Sequence, residues 1–221
     1  MKTIDSNKSK LKATYISILI PLAVAINLIG GQIALQLKLP LYLDAIGTVI
    51  LSAIMGPWIG AISGLLSSFI TSLISGNLLD TLFGLCNVAT ALIIGFMARG
   101  GLFKKIWHIV VATILVSLAN AALGTPLGVV VYGGIQGSGV DVAVAALLAL
   151  GQDLMSARFW ASFPTNLIDK GIAIVIAYII LKRLPENLKK LNMSKKQLKA
   201  EEAKAQAAVA EAAQEPAAPQ A

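Results

Sequence analysis

Charge is scarce in this chain. Of its 221 residues 13% are charged and 57% hydrophobic, where an average soluble chain carries about 25% charged residues. With a mean hydropathy of +0.79, that shortage excludes a soluble globular domain and leaves an integral membrane protein. Cysteine is almost absent as well. Cys86 stands alone, so no intrachain disulfide is available, and its apolar surroundings read as a small buried residue. The one histidine, His108, lies beside Trp107 where an apolar run begins, a place for an interfacial side chain rather than a catalyst. No Walker A loop, metal-ligand cluster or hydrolase elbow occurs. The chain therefore shows no means of using ATP, and an enzyme is not expected.

The charges that are present sit at a few places. The net charge of +7 is no nucleic-acid signal, because the cations cluster at the two ends and in one loop. One set of ends holds Lys2, Lys8, Lys10 and Lys12, then Arg99, Lys104 and Lys105, then Lys182, Arg183, Lys189 and Lys190. The opposite set holds Lys38 and Arg158. Six transmembrane helices with both termini cytoplasmic satisfy the positive-inside rule at every charged loop. The expected architecture is an all-α membrane bundle: a basic cytoplasmic N-terminus (1–12), a six-helix membrane domain (13–184) and a cytoplasmic tail (185–221).

The longest uncharged stretch, Ala45 to Leu79, has about 35 residues, or about 50 Å of helix. A bilayer core is about 30 Å thick, so the stretch has to fold back. Pro57 lacks an N–H and disfavours helical geometry at Gly56. That predicts a hairpin between helices at about Leu43–Met55 and Pro57–Ser75, with Pro57 in the first turn of the second. Gly56, Gly60, Gly64 and Ser68 recur at spacing four, a small-residue column for close helix approach, either inside the protein or against a partner.

Elsewhere, Ala13–Leu37 is a first span kinked at Pro21, too long for a signal-peptide core and so expected to stay as a membrane helix. A fourth helix runs over about Leu79–Ala98. The fifth starts near Ile106 and is expected to be interrupted at Gly124-Thr125-Pro126. A connection with a short helix at Val142–Leu150 follows. The last span is expected to begin near Ala161, with Phe163-Pro164 marking its start, and to carry Asp169 and Lys170. Leu188–Lys204 is lysine-rich enough for an interfacial helix on anionic lipid. Glu211–Ala221 has almost nothing to bury and reads as disordered.

Ionisable residues inside a span are costly, about 2.5–3.5 kcal/mol at the centre on insertion scales. Asp169 and Lys170 project about 100° apart and are expected not to face each other. Asn166 precedes them by three and four residues, so all three can share one cavity rim. Asp44, Asn77, Asp80, Tyr132, Gln136, Asp153, Arg158, Phe159 and Trp160 gather at the outer side, with Asn87 and Asn120 a few turns deeper. Aromatics with a few convergent polar groups describe a small-molecule pocket. The alternatives are a snorkelling Lys170 and a solvated outer loop.

The hairpin Met55-Gly56-Pro57-Trp58-Ile59-Gly60-Ala61-Ile62-Ser63-Gly64 carries a "GPxxGAxxG" pattern. With Pro164-Thr165-Asn166-Leu167-Ile168-Asp169-Lys170-Gly171 and the six-span topology, the chain resembles, over about Ala13–Leu184, the S components of energy-coupling factor (ECF) vitamin transporters. The resemblance implies a subunit that captures a vitamin-like ligand outside and topples against a T subunit, driven by two cytoplasmic ATPases, with no cofactor of its own. For such a subunit the pocket residues read above make Asn166, Asp169, Lys170, Asp44, Asn87, Asn120, Tyr132 and Trp160 the expected substrate contacts. The resemblance also implies partner docking through small residues of the first helix, here Ala13, Ser17 and Ala25 with Pro21 between; Gly60 and Gly64 of the small-residue column above are the other expected docking positions. The run Leu39-Pro40-Leu41-Tyr42-Leu43-Asp44-Ala45-Ile46-Gly47-Thr48 resembles a branch that includes cobalamin-type S components. Two other readings stay open. One is a stand-alone secondary transporter using Asp169 and Lys170 as an ion relay, although no internal repeat stands out; the other is a membrane ligand sensor.

Overall fold

The computed structural model describes residues 2–103 and 105–185, with side chains from residue 13 onward, and beyond them only residues 192, 203, 206 and 207. The helix expected over Leu188–Lys204 and the tail Glu211–Ala221 fall outside the described residues apart from those isolated positions. Among the described residues seven α-helices follow one another: α1 (Lys2–Gln36), α2 (Ile46–Met55), α3 (Pro57–Ser75), α4 (Gly84–Arg99), α5 (Ile106–Tyr132), α6 (Asp141–Ala149) and α7 (Leu154–Arg183), with a 3-10 turn (Leu78–Phe83) leading into α4. Among the described residues five segments are long and apolar enough to cross a membrane, and α2 is a shorter apolar helix.

The hairpin forms where Gly56 and Pro57 predict it. Gly56 sits at φ 102° and ψ 171°, backbone that L side chains rarely adopt, and Pro57 opens α3. α2 starts at Ile46 and not at Leu43, because Leu43 lies in the left-handed region at φ 53°. Its side chains from Gly47 to Met55 are nearly all buried. Val49 and Ala53 pack with Ile94 of α4, Ala112 and Val116 of α5 and Ala173, Ile174 and Ala177 of α7. This seam is the core of the bundle.

Asn27 of α1 ties three helices together. Its Oδ1 accepts from the Gly47 N–H at 2.7 Å, and its Nδ2 donates to Thr48 Oγ1 at 2.8 Å and Ser67 Oγ at 3.0 Å. The first N–H groups of a helix have no partner within it, so a buried asparagine of α1 fills the cap that Ala45 cannot supply. Close approach is possible because Gly47 has no Cβ; one would strike the Ala23 carbonyl.

The small-residue column of α3 is internal. Gly60 is buried against Ser52 of α2, and a Cβ on Gly64 would lie 2.7 Å from Asn87 Cβ of α4. Docking to a separate partner through Gly60 and Gly64 is therefore corrected: both contacts are already filled by the chain's own helices. Ala13, Ser17, Pro21 and Ala25 of α1 are all exposed.

Two proline expectations also change. α5 runs unbroken through Pro126 and stops at Gly133. There Gly133 N–H donates to Val129 O at 2.9 Å and Gly134 N–H to Gly128 O at 3.1 Å, a glycine stop signal stronger than the Gly124-Thr125-Pro126 run. α7 starts at Leu154, with Pro164 inside it, because the Asp153 side chain caps the Ser156 N–H at 3.0 Å. In a membrane helix an internal proline is tolerated where neighbours satisfy the freed carbonyl. The longer α7 puts Asp169 and Lys170 near its midpoint.

Candidate functional site

A cavity of about 390 Å³ opens between α1, α3, α4, α5 and α7 and is flanked by the segments that precede α2 and α6. Its walls divide by chemistry. Leu28, Leu35, Leu41, Ile74 and Phe83 give it apolar surface. Ser67 and Ser68 of α3, Asn87 of α4, Asn120 of α5 and Ser162 and Asn166 of α7 supply uncharged polar groups. Asp44, Asp80, Arg158 and Lys170 bring charge.

Lys170 is 2% exposed. Its Nζ lies 2.7 Å from Asp169 Oδ2 and 2.9 Å from Asp44 Oδ1, and 5.7 Å over the Tyr42 ring. The expectation that Asp169 and Lys170 do not face each other is wrong. Their Cβ directions do diverge, but the four-carbon lysine stem is long enough to fold back onto its neighbour. Asp169 also accepts from the Leu43 N–H at 2.7 Å, which pins the left-handed turn before α2. Asp44 is 46% exposed on its side chain, so its share of the ion pair is screened by solvent.

Arg158, 1% exposed, anchors the outer connection. Its guanidinium donates to Gly134 O at 3.2 Å, to Asp141 Oδ1 at 2.8 Å and to Gln136 Oε1. Asp141 in turn accepts from the N–H groups of Gln136 at 3.0 Å and Ser138 at 2.8 Å. Burial pushes the hydroxyl of Tyr42, in the loop before α2, above the usual tyrosine range, against the opposing pull of Arg158 and the Ser162 hydrogen bond.

Asp80, in the 3-10 turn before α4, also lines the cavity and is 9% exposed. It accepts from Ser75 Oγ at 2.7 Å, Asn77 Nδ2 at 3.1 Å and the Tyr132 hydroxyl. Deeper in the wall Asn120 Nδ2 donates to Thr90 Oγ1 at 2.8 Å, and Asn87 Nδ2 to Ser68 Oγ at 3.1 Å.

Asn166, Lys170, Asp44, Asn87, Asn120 and Tyr132, all anticipated as substrate contacts, line this cavity. Two anticipated residues do not. Asp169 stands behind Lys170, turned to the Leu43 backbone. Trp160 is 56% exposed and lines a separate shallow depression with Thr125, Pro126 and Phe159; with α7 starting earlier, its register points Trp160 away from the bundle. Arg158, Asp80 and Gln136 look from the sequence like outer-loop residues, yet they form the wall. The serines of α3 carried a readable signal: Ser63, Ser67, Ser68 and Ser72 repeat at helical spacing in a segment with no charge, and all four are buried.

An apolar exterior around a mainly apolar cavity with convergent polar groups defines a membrane-embedded small-molecule binder. The family model described as ECF transporter, substrate-specific component, matches residues 14–181, and the chain belongs to that family. Members are substrate-binding subunits of transporters rather than enzymes, and they work with a T component and ATPases. No curated protein and no solved structure shows a significant match.

Proposed function

We propose that this protein is the subunit of an ECF importer that captures a vitamin or related micronutrient from outside and delivers it by toppling against a T subunit driven by two ATPases. The observation that carries this reading is a cavity of mixed apolar and polar lining, walled by five helices, in a chain of this family. Six spans in the plasma membrane, α2 included, with residues 1–12 and 185–221 on the cytoplasmic side, fit both the lysine and arginine distribution and the alternation of the helices. The cavity then opens to the outside. Asn166, Lys170, Asp44, Asn87, Asn120 and Tyr132 are its contact residues, and Asp169 acts by holding Lys170 and the turn at Leu43. The exposed column Ala13, Ser17 and Ala25 on α1 is the face for the T subunit.

Cobalamin is the ligand that the Leu39–Thr48 run favours. The cavity volume of about 390 Å³ supports a smaller molecule, since small-molecule sites span about 300–1,000 Å³ and a corrinoid would need the upper part of that range or more. A secondary transporter relaying ions through Lys170 is the other reading, favoured by the buried carboxylates around it. The deciding experiment is co-expression with a T subunit and two ATPases. Co-purification, with uptake lost when the ATPases are inactivated, supports the S-component reading. Uptake by the purified protein alone, driven by an ion gradient, rejects it.

A further inference from the structure

Charge around the cavity is unequal. Lys170 is matched by both Asp169 and Asp44, and Arg158 by Asp141, while Asp80 has no lysine, arginine or histidine within 4.0 Å among the described residues. Asp44 and Asp80 line the cavity with Lys170 and Arg158, and because Asp169 and Asp141 behind the wall also engage those two cations, four carboxylates surround two cations and Asp80 is left with none beside it among the described residues. A cavity walled by apolar and low-dielectric surface amplifies such an excess.

Two acceptors on the wall are also unfilled. A carboxylate offers about four acceptor positions. Asp80 Oδ1 takes Asn77 and Tyr132, but Oδ2 takes Ser75 alone, leaving one position on a group that lines the cavity. Asn87, 3% exposed, has an Oδ1 without a hydrogen-bond partner. Buried polar groups are seldom left unpaired unless something else fills them. Arg158 Nε also lacks a partner, but it sits over Gly128 of α5, 3.3 Å from where a Cβ would be, and its guanidinium is already neutralised by Asp141. Beside Asp80 the rings of Phe83 and Tyr132 lie 6.3 Å apart at 37°, surfaces on which a flat cation can rest.

We propose that the cavity selects a small cationic, donor-bearing nitrogen compound, its positive group seated against Asp80 and Tyr132 and a second donor reaching the unfilled Asn87 Oδ1, and rejects carboxylates and phosphates of the same size. This deepens the reading of the protein as an S component and rests on it.

The test uses the full-length protein in detergent, with titration calorimetry against probes grouped by charge. Thiamine, pyridoxamine and 1-methylnicotinamide are the cations; 4-pyridoxate, nicotinate and pantothenate are the anions. At least one cation is expected to bind with no comparable binding of the anions. Asp80→Asn, which keeps the shape and removes the charge, is expected to weaken that binding roughly 10- to 100-fold, the span of a charged hydrogen bond. Tyr132→Phe serves as a second variant should Asp80→Asn fail to fold, with a smaller loss expected. Binding of an anion in preference, binding of none of the cations, or an Asp80→Asn protein that folds and binds the cation unchanged would overturn the proposal. Assembly with the T subunit and ATPases, measured on the same preparation, separates the two levels. Assembly without cation binding removes the charge inference alone, whereas failure to assemble removes the S-component reading with it.

Discussion

The Leu43 N–H donates to the Asp169 carboxylate at 2.7 Å across 126 residues of sequence. This one contact joins the middle of α7 to the turn that feeds α2, and the same carboxylate holds Lys170. Asp169 is thus a positioning residue for two parts of the cavity wall.

Asp169→Ala is expected to harm folding before it harms ligand contact. Removing one partner of a buried ion pair costs about 3–5 kcal/mol, with the remaining Asp44 contact pulling the loss toward the lower figure. Thermal unfolding in detergent measures it. Asp169→Ala combined with Lys170→Met should recover much of the loss, because no buried charge is then stranded. No recovery would mean that the Leu43 contact dominates.

Asn166→Ala should behave in the opposite way. The side chain donates only to Ser162 O at 2.9 Å, so its loss costs about 1 kcal/mol of stability or less. Because the residue lines the cavity, affinity for whichever of the titrated probes binds should fall about tenfold or more. Equal affinity in a well-folded variant would remove Asn166 from the contact set.

Gly60→Leu and Gly64→Leu should destabilise the protein itself by about 1–3 kcal/mol, the range for overpacking. Their side chains would enter Ser52 of α2 and Asn87 of α4. Any fraction that still folds should assemble with the T subunit normally. Loss of assembly with unchanged thermal stability would return these glycines to a docking face.

Topology can be read by labelling. With Cys86→Ser removing the native thiol, Gly137→Cys should react with a membrane-impermeant maleimide on intact cells, and Gly100→Cys only after the cells are permeabilised. Labelling of both from one side would contradict six spans.

The cap of α7 should respond to acid. Hydrogen bonds from Ser156 hold the Asp153 carboxyl below its usual value, so the folded form favours the charged state. Its contribution is present above the unfolded value of about 3.9 and disappears as pH falls through the lower folded value. Amide exchange at Ser156 should therefore accelerate below about pH 4, an acceleration that Asp153→Ala removes by exposing the amide at every pH.

The sequence exposed some features because they were dictated locally. The break at Gly56-Pro57 needed only the chemistry of those two residues, and α3 ends at Ser75 as expected because Gly76 adopts φ 73°. Prolines inside helices misled for the complementary reason. Pro126 and Pro164 are accommodated by surrounding helices that no local signal describes. The site divides in the same way. Asn166 and Lys170 share a face through helical spacing alone, but Arg158 and Asp80 become wall residues only when α6 and the turn before α4 fold over the bundle. The fold-back of Lys170 onto Asp169 depends on rotamer choice in a crowded interior, which Cβ directions do not fix.

α2 has ten residues and buries nearly all of them. A helix about 15 Å long cannot match a hydrocarbon layer of about 30 Å, yet it has little surface to be matched. Lipid meets the outer faces of longer helices, which adjust to a thicker or thinner bilayer by tilting. α2 therefore sets no preferred thickness, and the bundle's tolerance of different membranes is decided at its circumference.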